Sequence, residues 1–136
     1  MRNKMQIYFP VSCRVLTKGH ILCLEYLIKQ GFVVVGLLTA KALKGYKKEV
    51  VPYDDRFYIL DTIAMALGNV DVVAQDSLDP TKNIKSYQCD AIASGDGFEK
   101  DELAAIKKLK LRKIDIRLPG EKRKSYSSSK ILKCGV

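Results

Sequence analysis

His20 is the one histidine in the chain, and its neighbours suggest what an imidazole could do there. A short apolar strand, Met5-Gln6-Ile7-Tyr8-Phe9, runs into a loop holding Ser12, Cys13, Arg14 and Thr17-Lys18-Gly19-His20. An apolar helix is expected over Ile21 to Gln30, stopped by Gly31. At such a junction in an α/β sheet, the carboxyl end of the strand meets the amino end of the helix. Unpaired N–H groups and a partial positive charge favour phosphate there. Gly19 allows a ligand close to the backbone. A histidine that only caps its helix is the plain alternative. A zinc site built from Cys13, His20 and Cys23 lacks the spacing of known zinc ligand sets, so no metal site is expected.

Arg56 is a second candidate. A cation in the first turn of a helix opposes the macrodipole, so it needs an anion to meet. Either Asp54 and Asp55 supply that anion, or a substrate phosphate does.

The elements that would position these residues follow from periodicity. Phe32 to Leu38 is a continuous apolar run, typical of a parallel strand covered on both faces. With the first strand and helix it forms a βαβ unit, which implies a right-handed crossover. Thr39 to Glu49 reads as a lysine-rich connection. Pro52 and Asp54-Asp55 announce a helix to about Leu67, closed by Gly68-Asn69. Val70 to Ala74 is a third strand, and Ser77-Leu78-Asp79-Pro80 caps a short helix. Asp90 to Ser94 is a fourth strand. Glu99 to Lys110 is a helix with acids first and lysines last. Ile114 to Leu118 alternates as a fifth strand near an edge. The alternation predicts a single domain over 1–136 of α/β class, a Rossmann-like five-stranded parallel sheet with helices on both faces.

Composition narrows the partners. The chain is 47% apolar and 29% charged, the balance of a globular protein. No apolar run approaches a membrane span and no signal peptide is seen, so a cytoplasmic protein with reduced cysteines is expected. The net charge of +9 gathers at Lys41 to Lys48, Lys107 to Lys113 and Lys122 to Lys124, which attracts phosphorylated ligands. There is no aromatic-interleaved basic ribbon and no nucleic-acid motif, so nucleic acid is not the expected partner.

Five segments in order resemble one family. Thr17-Lys18-Gly19-His20 is similar to the (H/T)xGH signature of the nucleotidyltransferase superfamily that includes the cytidylyltransferases. Ser127-Ser128-Ser129-Lys130-Ile131 resembles its second, ISSTKI-like signature. Between them, Gly45-Tyr46-Lys47-Lys48 resembles its lysine-bearing loop and Tyr53-Asp54-Asp55-Arg56 its YEER-like helix start. Gly95-Asp96-Gly97-Phe98 resembles its GDDW-like turn. Val11-Ser12-Cys13-Arg14 departs from the G-T/S-F-D segment that family members carry ahead of the first signature.

The resemblance implies transfer of CMP from CTP to a phosphate- or phosphonate-bearing small molecule, with release of pyrophosphate. The pattern is closest to glycerol-phosphate and aminoethylphosphonate cytidylyltransferases. An ATP-dependent adenylyltransferase of the pantetheine-phosphate type, favoured by Thr17, and a nucleotide-binding module without turnover are the alternatives. By resemblance, His20, Thr17 and Lys47 are catalytic. Ser12, Cys13, Gly19, Gly95, Asp96, Ser127, Ser128 and Ser129 bind the nucleotide, and Lys47 and Arg56 the acceptor. Lys47 could equally be one solvated lysine among the four of its loop. Mg2+ is expected on the nucleotide phosphates, because no acidic cluster offers a protein cage. A homodimer is implied.

Overall fold

The computed structural model describes residues 4–118. The elements are β1 (Met5–Val11), α1 (Lys18–Ile28), β2 (Gly31–Leu38), α2 (Ala40–Leu43), α3 (Tyr53–Leu67), β3 (Val70–Gln75), α4 (Thr81–Ser86), β4 (Ala91–Ser94), α5 (Lys100–Leu109) and β5 (Arg112–Asp115). All five strands are parallel, in the order β3-β2-β1-β4-β5. The chain builds outward from β1 through β2 to β3, then returns to lay β4 and β5 on the other side. β1 and β4 are therefore neighbours where the winding reverses, with Ile7 opposite Ala91 and Tyr8 opposite Ile92.

Side chains of period two feed two separate cores. Ile7, Phe9, Val33, Val35, Ala91 and Ala93 pack with Leu24 and Leu27 of α1 and Leu60 and Ala64 of α3. Tyr8, Val34 and Ile92 face the other way, onto Ile84 of α4 and Ala105 of α5. Helices thus cover both faces, as the uninterrupted apolar strands require.

Several boundaries differ from expectation for local reasons. Helix α1 begins at Lys18 rather than Ile21, because Thr17 serves as its N-cap and His20 closes the cap. The helix ends at Ile28, and Gly31 instead opens β2. A side chain at Gly31 would overlap the carbonyl oxygen of Met5, so the glycine admits the close approach of β1. The lysine-rich connection contains a short helix, α2, capped by the Thr39 hydroxyl, which accepts from the Ala42 amide at 3.3 Å. Strand β5 occupies an edge but starts earlier, at Arg112, because its ladder is limited by the four residues of β4. Ile116 follows it, fully buried, with its amide on the Ser94 carbonyl.

Candidate functional site

A cavity of about 360 Å³ opens at the carboxyl edge of the sheet. The ends of β1, β2, β3 and β4 contribute Val11, Leu38, Gln75 and Ser94 to its floor. The winding reverses between β1 and β4, and ligands bind at such a crevice in open α/β sheets. One wall is the start of α1, with Thr17, Gly19 and His20. The opposite wall is the start of α5, with Glu99 and Glu102. Tyr46 and Lys47, from the strap between α2 and α3, complete the rim.

The His20 ring is held in one state. The Thr17 backbone N–H donates to Nδ1 at 3.0 Å, and the Thr17 hydroxyl oxygen lies 3.2 Å from the same nitrogen. A backbone N–H can only donate, so Nδ1 is the acceptor and Nε2 carries the proton. Burial lowers the pKa of the ring, partly opposed by Asp96. A neutral imidazole with an Nε2–H to offer therefore lines the cavity.

Lys47 is half-buried, whereas Lys41, Lys44 and Lys48 are exposed. Its Nζ lies 5.1 Å from the Tyr46 ring centroid, a cation–π distance. Lys47 lines the cavity, and its charge bears on Glu102, whose carboxyl is pushed up chiefly by burial. Glu102 also accepts from the Glu99 amide at 2.8 Å, closing the first turn of α5.

Ser12, Gly95 and Asp96 line the cavity as well. The turn that carries Gly95 and Asp96 is braced by Ser94, whose hydroxyl donates to the Gly97 carbonyl at 2.5 Å and accepts from the Asp96 amide at 3.3 Å.

Two expected residues are placed elsewhere. Cys13 adopts a positive φ of 46° and turns into the core beside Leu24, where burial pushes its thiol up to about 12. Arg56 is 4% exposed and does not line the cavity. Asp54 and Asp55 are not its partners. It pairs with Glu49 at 2.6 Å and donates to the backbone carbonyls of Ser12, Leu38 and Val51. Ser127, Ser128 and Ser129 lie outside the described residues.

The site also contains residues that the motifs do not point to. Gln75 is 3% exposed and lines the floor. It accepts from the Tyr8 hydroxyl at 2.5 Å and donates to the Ser77 carbonyl at 2.9 Å, while Asn83 donates to the Tyr8 oxygen at 3.0 Å. Burial raises the Tyr8 pKa well above the ordinary tyrosine value, so the phenol remains a donor. Nothing in the sequence around Gln75 marks it. Glu99 and Glu102 carried a usable signal, an acid pair three residues apart at a helix start, which is a capping-box pattern.

Among the described residues, no group of three histidine, cysteine or acidic side chains could hold a metal ion, and no helix is long and apolar enough to cross a membrane.

Fold and site together define a Rossmann-like α/β protein with a cavity at its topological switch point. No protein-family model matches the chain, and no curated protein matches it either. Among solved structures it is similar to the lipopolysaccharide core biosynthesis protein from Thermoplasma volcanium GSS1. The TM-score is 0.69 at 22% sequence identity, over 85% of this chain and 98% of that one. At that identity the likeness is one of fold.

Proposed function

We propose that this chain is a nucleotidyltransferase that moves CMP from CTP to a phosphate- or phosphonate-bearing small molecule. An oxygen of the acceptor attacks the α-phosphorus. The bond from that phosphorus to the bridging oxygen breaks, and pyrophosphate leaves with the electron pair.

The observation that carries this reading is the Thr17–His20 bond at the mouth of α1. It leaves Nε2–H as a preorganised donor at the start of the helix, in a cavity at the strand ends. Such donors stabilise charge that grows on a leaving group, and they do so without reorganising. In this reading His20 donates to the departing pyrophosphate, and Thr17 keeps its tautomer. Lys47 meets phosphate charge from the opposite rim. Gly95 and Asp96 contact the nucleoside, and the Ser127 to Ser129 segment adds hydroxyls, as the family resemblance implies.

Mg2+ would arrive on the triphosphate and neutralise part of its charge. Asp96, Glu99, Asp101 and Glu102 line the cavity but do not assemble into a cage. The part of the charge left to the protein therefore falls on His20, the α1 amides and Lys47. The role of the Thermoplasma volcanium protein in lipopolysaccharide core biosynthesis is in keeping with a biosynthetic group transfer.

Thermal stabilisation by CTP, ATP, GTP and UTP, each with Mg2+, tests the reading. Ligand at a hundred times its Kd adds about 2.7 kcal/mol, or several degrees for a domain of this size. A shift with CTP, followed by pyrophosphate release with a phosphate or phosphonate acceptor, supports it. A shift with ATP alone moves the assignment to an adenylyltransferase. Binding without release from any acceptor leaves a nucleotide-binding module.

A further inference from the structure

The turn before α1, the end of β2 and the strap that carries Lys47 are tied to one guanidinium. Arg56, near the start of α3, donates from Nη1 to the Ser12 carbonyl at 2.8 Å and to the Leu38 carbonyl at 2.7 Å. Its Nε–H donates to the Val51 carbonyl at 2.8 Å, and Nη2 donates to Glu49 Oε2 at 2.6 Å. The Tyr53 ring lies 5.6 Å from Cζ. Ser12 belongs to the turn that leads to His20, and Leu38 ends β2. Glu49 and Val51 belong to the strap that carries Lys47. Arg14 adds a second tie between turn and strap, donating to the Lys48 carbonyl at 3.3 Å.

We infer that Arg56 and Glu49 are a positioning pair, which sets the spacing between the His20 turn and the Lys47 strap. That spacing determines whether both rims can engage one anionic ligand. The identity of that ligand rests on the nucleotidyl-transfer reading, but the tie itself does not.

The chemistry suits the role. A charge with 2% of its side chain exposed needs a counter-ion, and Glu49 supplies it from a side chain 30% exposed. Neutralisation alone would need only that one contact. The three backbone carbonyls come from three separate segments, at sequence separations of 44, 18 and 5 residues. A planar fork can hold all of them at fixed angles, and a lysine ammonium cannot. The pair therefore transmits the position of β2 and the turn before His20 to the strap.

The strap carries trypsin sites at Lys47 and Lys48, which gives a readout independent of turnover. Full-length wild type and Glu49→Gln are digested briefly, and cleavage after Lys47 and Lys48, each normalised to cleavage of a synthetic peptide of the same sequence because residue 49 flanks both scissile bonds, is compared with cleavage after Lys107 in α5. The ratio should rise about tenfold in Glu49→Gln, because a charge-assisted bond that restrains only the strap is weakened. An unchanged ratio, or an equal rise at Lys107, would overturn the inference, since the latter means general loosening. In the wild type itself, hydrogen exchange of the Arg56 Nε–H should be far slower than that of Arg112 and Arg117. Equal exchange would overturn the inference too. With CTP and an acceptor, Glu49→Gln should lose about tenfold in kcat while the KM for nucleotide stays within about threefold. If wild type turns over no nucleotide, the transferase reading fails, and the cleavage ratio still decides the role of the pair.

Discussion

The amide of Thr17 donates to Nδ1 of His20 at 3.0 Å, so one bond closes the first turn of α1 and selects the ring's tautomer. Structure and chemistry are coupled at that bond. Removing the imidazole takes away a cap and a donor together, and the two losses have different sizes.

His20→Ala should leave the fold intact, with a stability cost near 1 kcal/mol for the lost cap. Pyrophosphate release should fall by about 10²–10³, the effect of deleting one donor to developing charge. Circular dichroism melts and a phosphate-detection assay on the same preparations measure both. A variant with near-normal turnover would remove His20 from the reaction.

The same residue predicts a pH dependence. The folded-state pKa of His20 lies below its ordinary 6.5, so the unfolded chain takes up the proton first as pH falls. Its contribution to stability is therefore full above 6.5 and is lost as pH drops below that value. Glu102 has the opposite sign: its folded pKa is above 4.5, so its contribution is present below that pH and is lost as pH rises through the folded value. Urea denaturation of wild type and His20→Ala across pH 4 to 8 separates them, because the Glu102 contribution is common to both. The stability gap should change below pH 6.5, and a gap constant over that range would contradict the assigned neutral ring.

Gly36 lies against the Tyr8 hydroxyl, and a Cβ there would also sit 2.6 Å from Gln75 Oε1. Gly36→Ala should cost about 1–3 kcal/mol through overpacking. Tyr8→Phe should cost about 1–3 kcal/mol by leaving the Gln75 oxygen short of a donor. The double variant should differ from the sum by at least about 0.5 kcal/mol, because the added Cβ meets both the hydroxyl and Cζ of Tyr8 and Tyr8→Phe removes only the hydroxyl. Denaturant titrations of the four proteins form the cycle, and strict additivity would mean the clash is relieved elsewhere.

Cys13 should resist alkylation in the folded protein. Burial raises its thiol far above the usual range, so the reactive thiolate scarcely forms at neutral pH. Burial also blocks access to it. Iodoacetamide followed by peptide mass spectrometry should find Cys13 modified only as fast as the chain unfolds. Rapid labelling under native conditions would put the thiol at the cavity after all.

Leu27 is fully buried between α1 and the sheet. Leu27→Ala should cost about 2–5 kcal/mol, read as a lower urea midpoint at unchanged slope.

Some of this protein can be read directly along the chain, because its cause is local. The apolar runs Ile7 to Phe9, Phe32 to Leu38 and Ala91 to Ala93 announce parallel strands whatever their eventual neighbours. The Thr17–His20 contact spans three residues, so the motif and the cap are the same stretch of sequence. The acid pair Glu99 and Glu102 is local in the same way, although only its capping role is visible there. Tertiary structure alone decided what those local pieces face. The strand order brings β4 beside β1, and this sets the α5 acids opposite His20 across one cavity. Arg56 looks on the sequence like a cation with two adjacent aspartates, yet its partners come from segments that meet only when the sheet is assembled. Cys13 belongs to the turn before His20 by position, and a single left-handed residue sends its side chain to the core instead. Periodicity and capping depend on near neighbours and are written in order. The aim of a buried side chain depends on which distant segments the topology brings within 3 Å of it, and no local pattern carries that information.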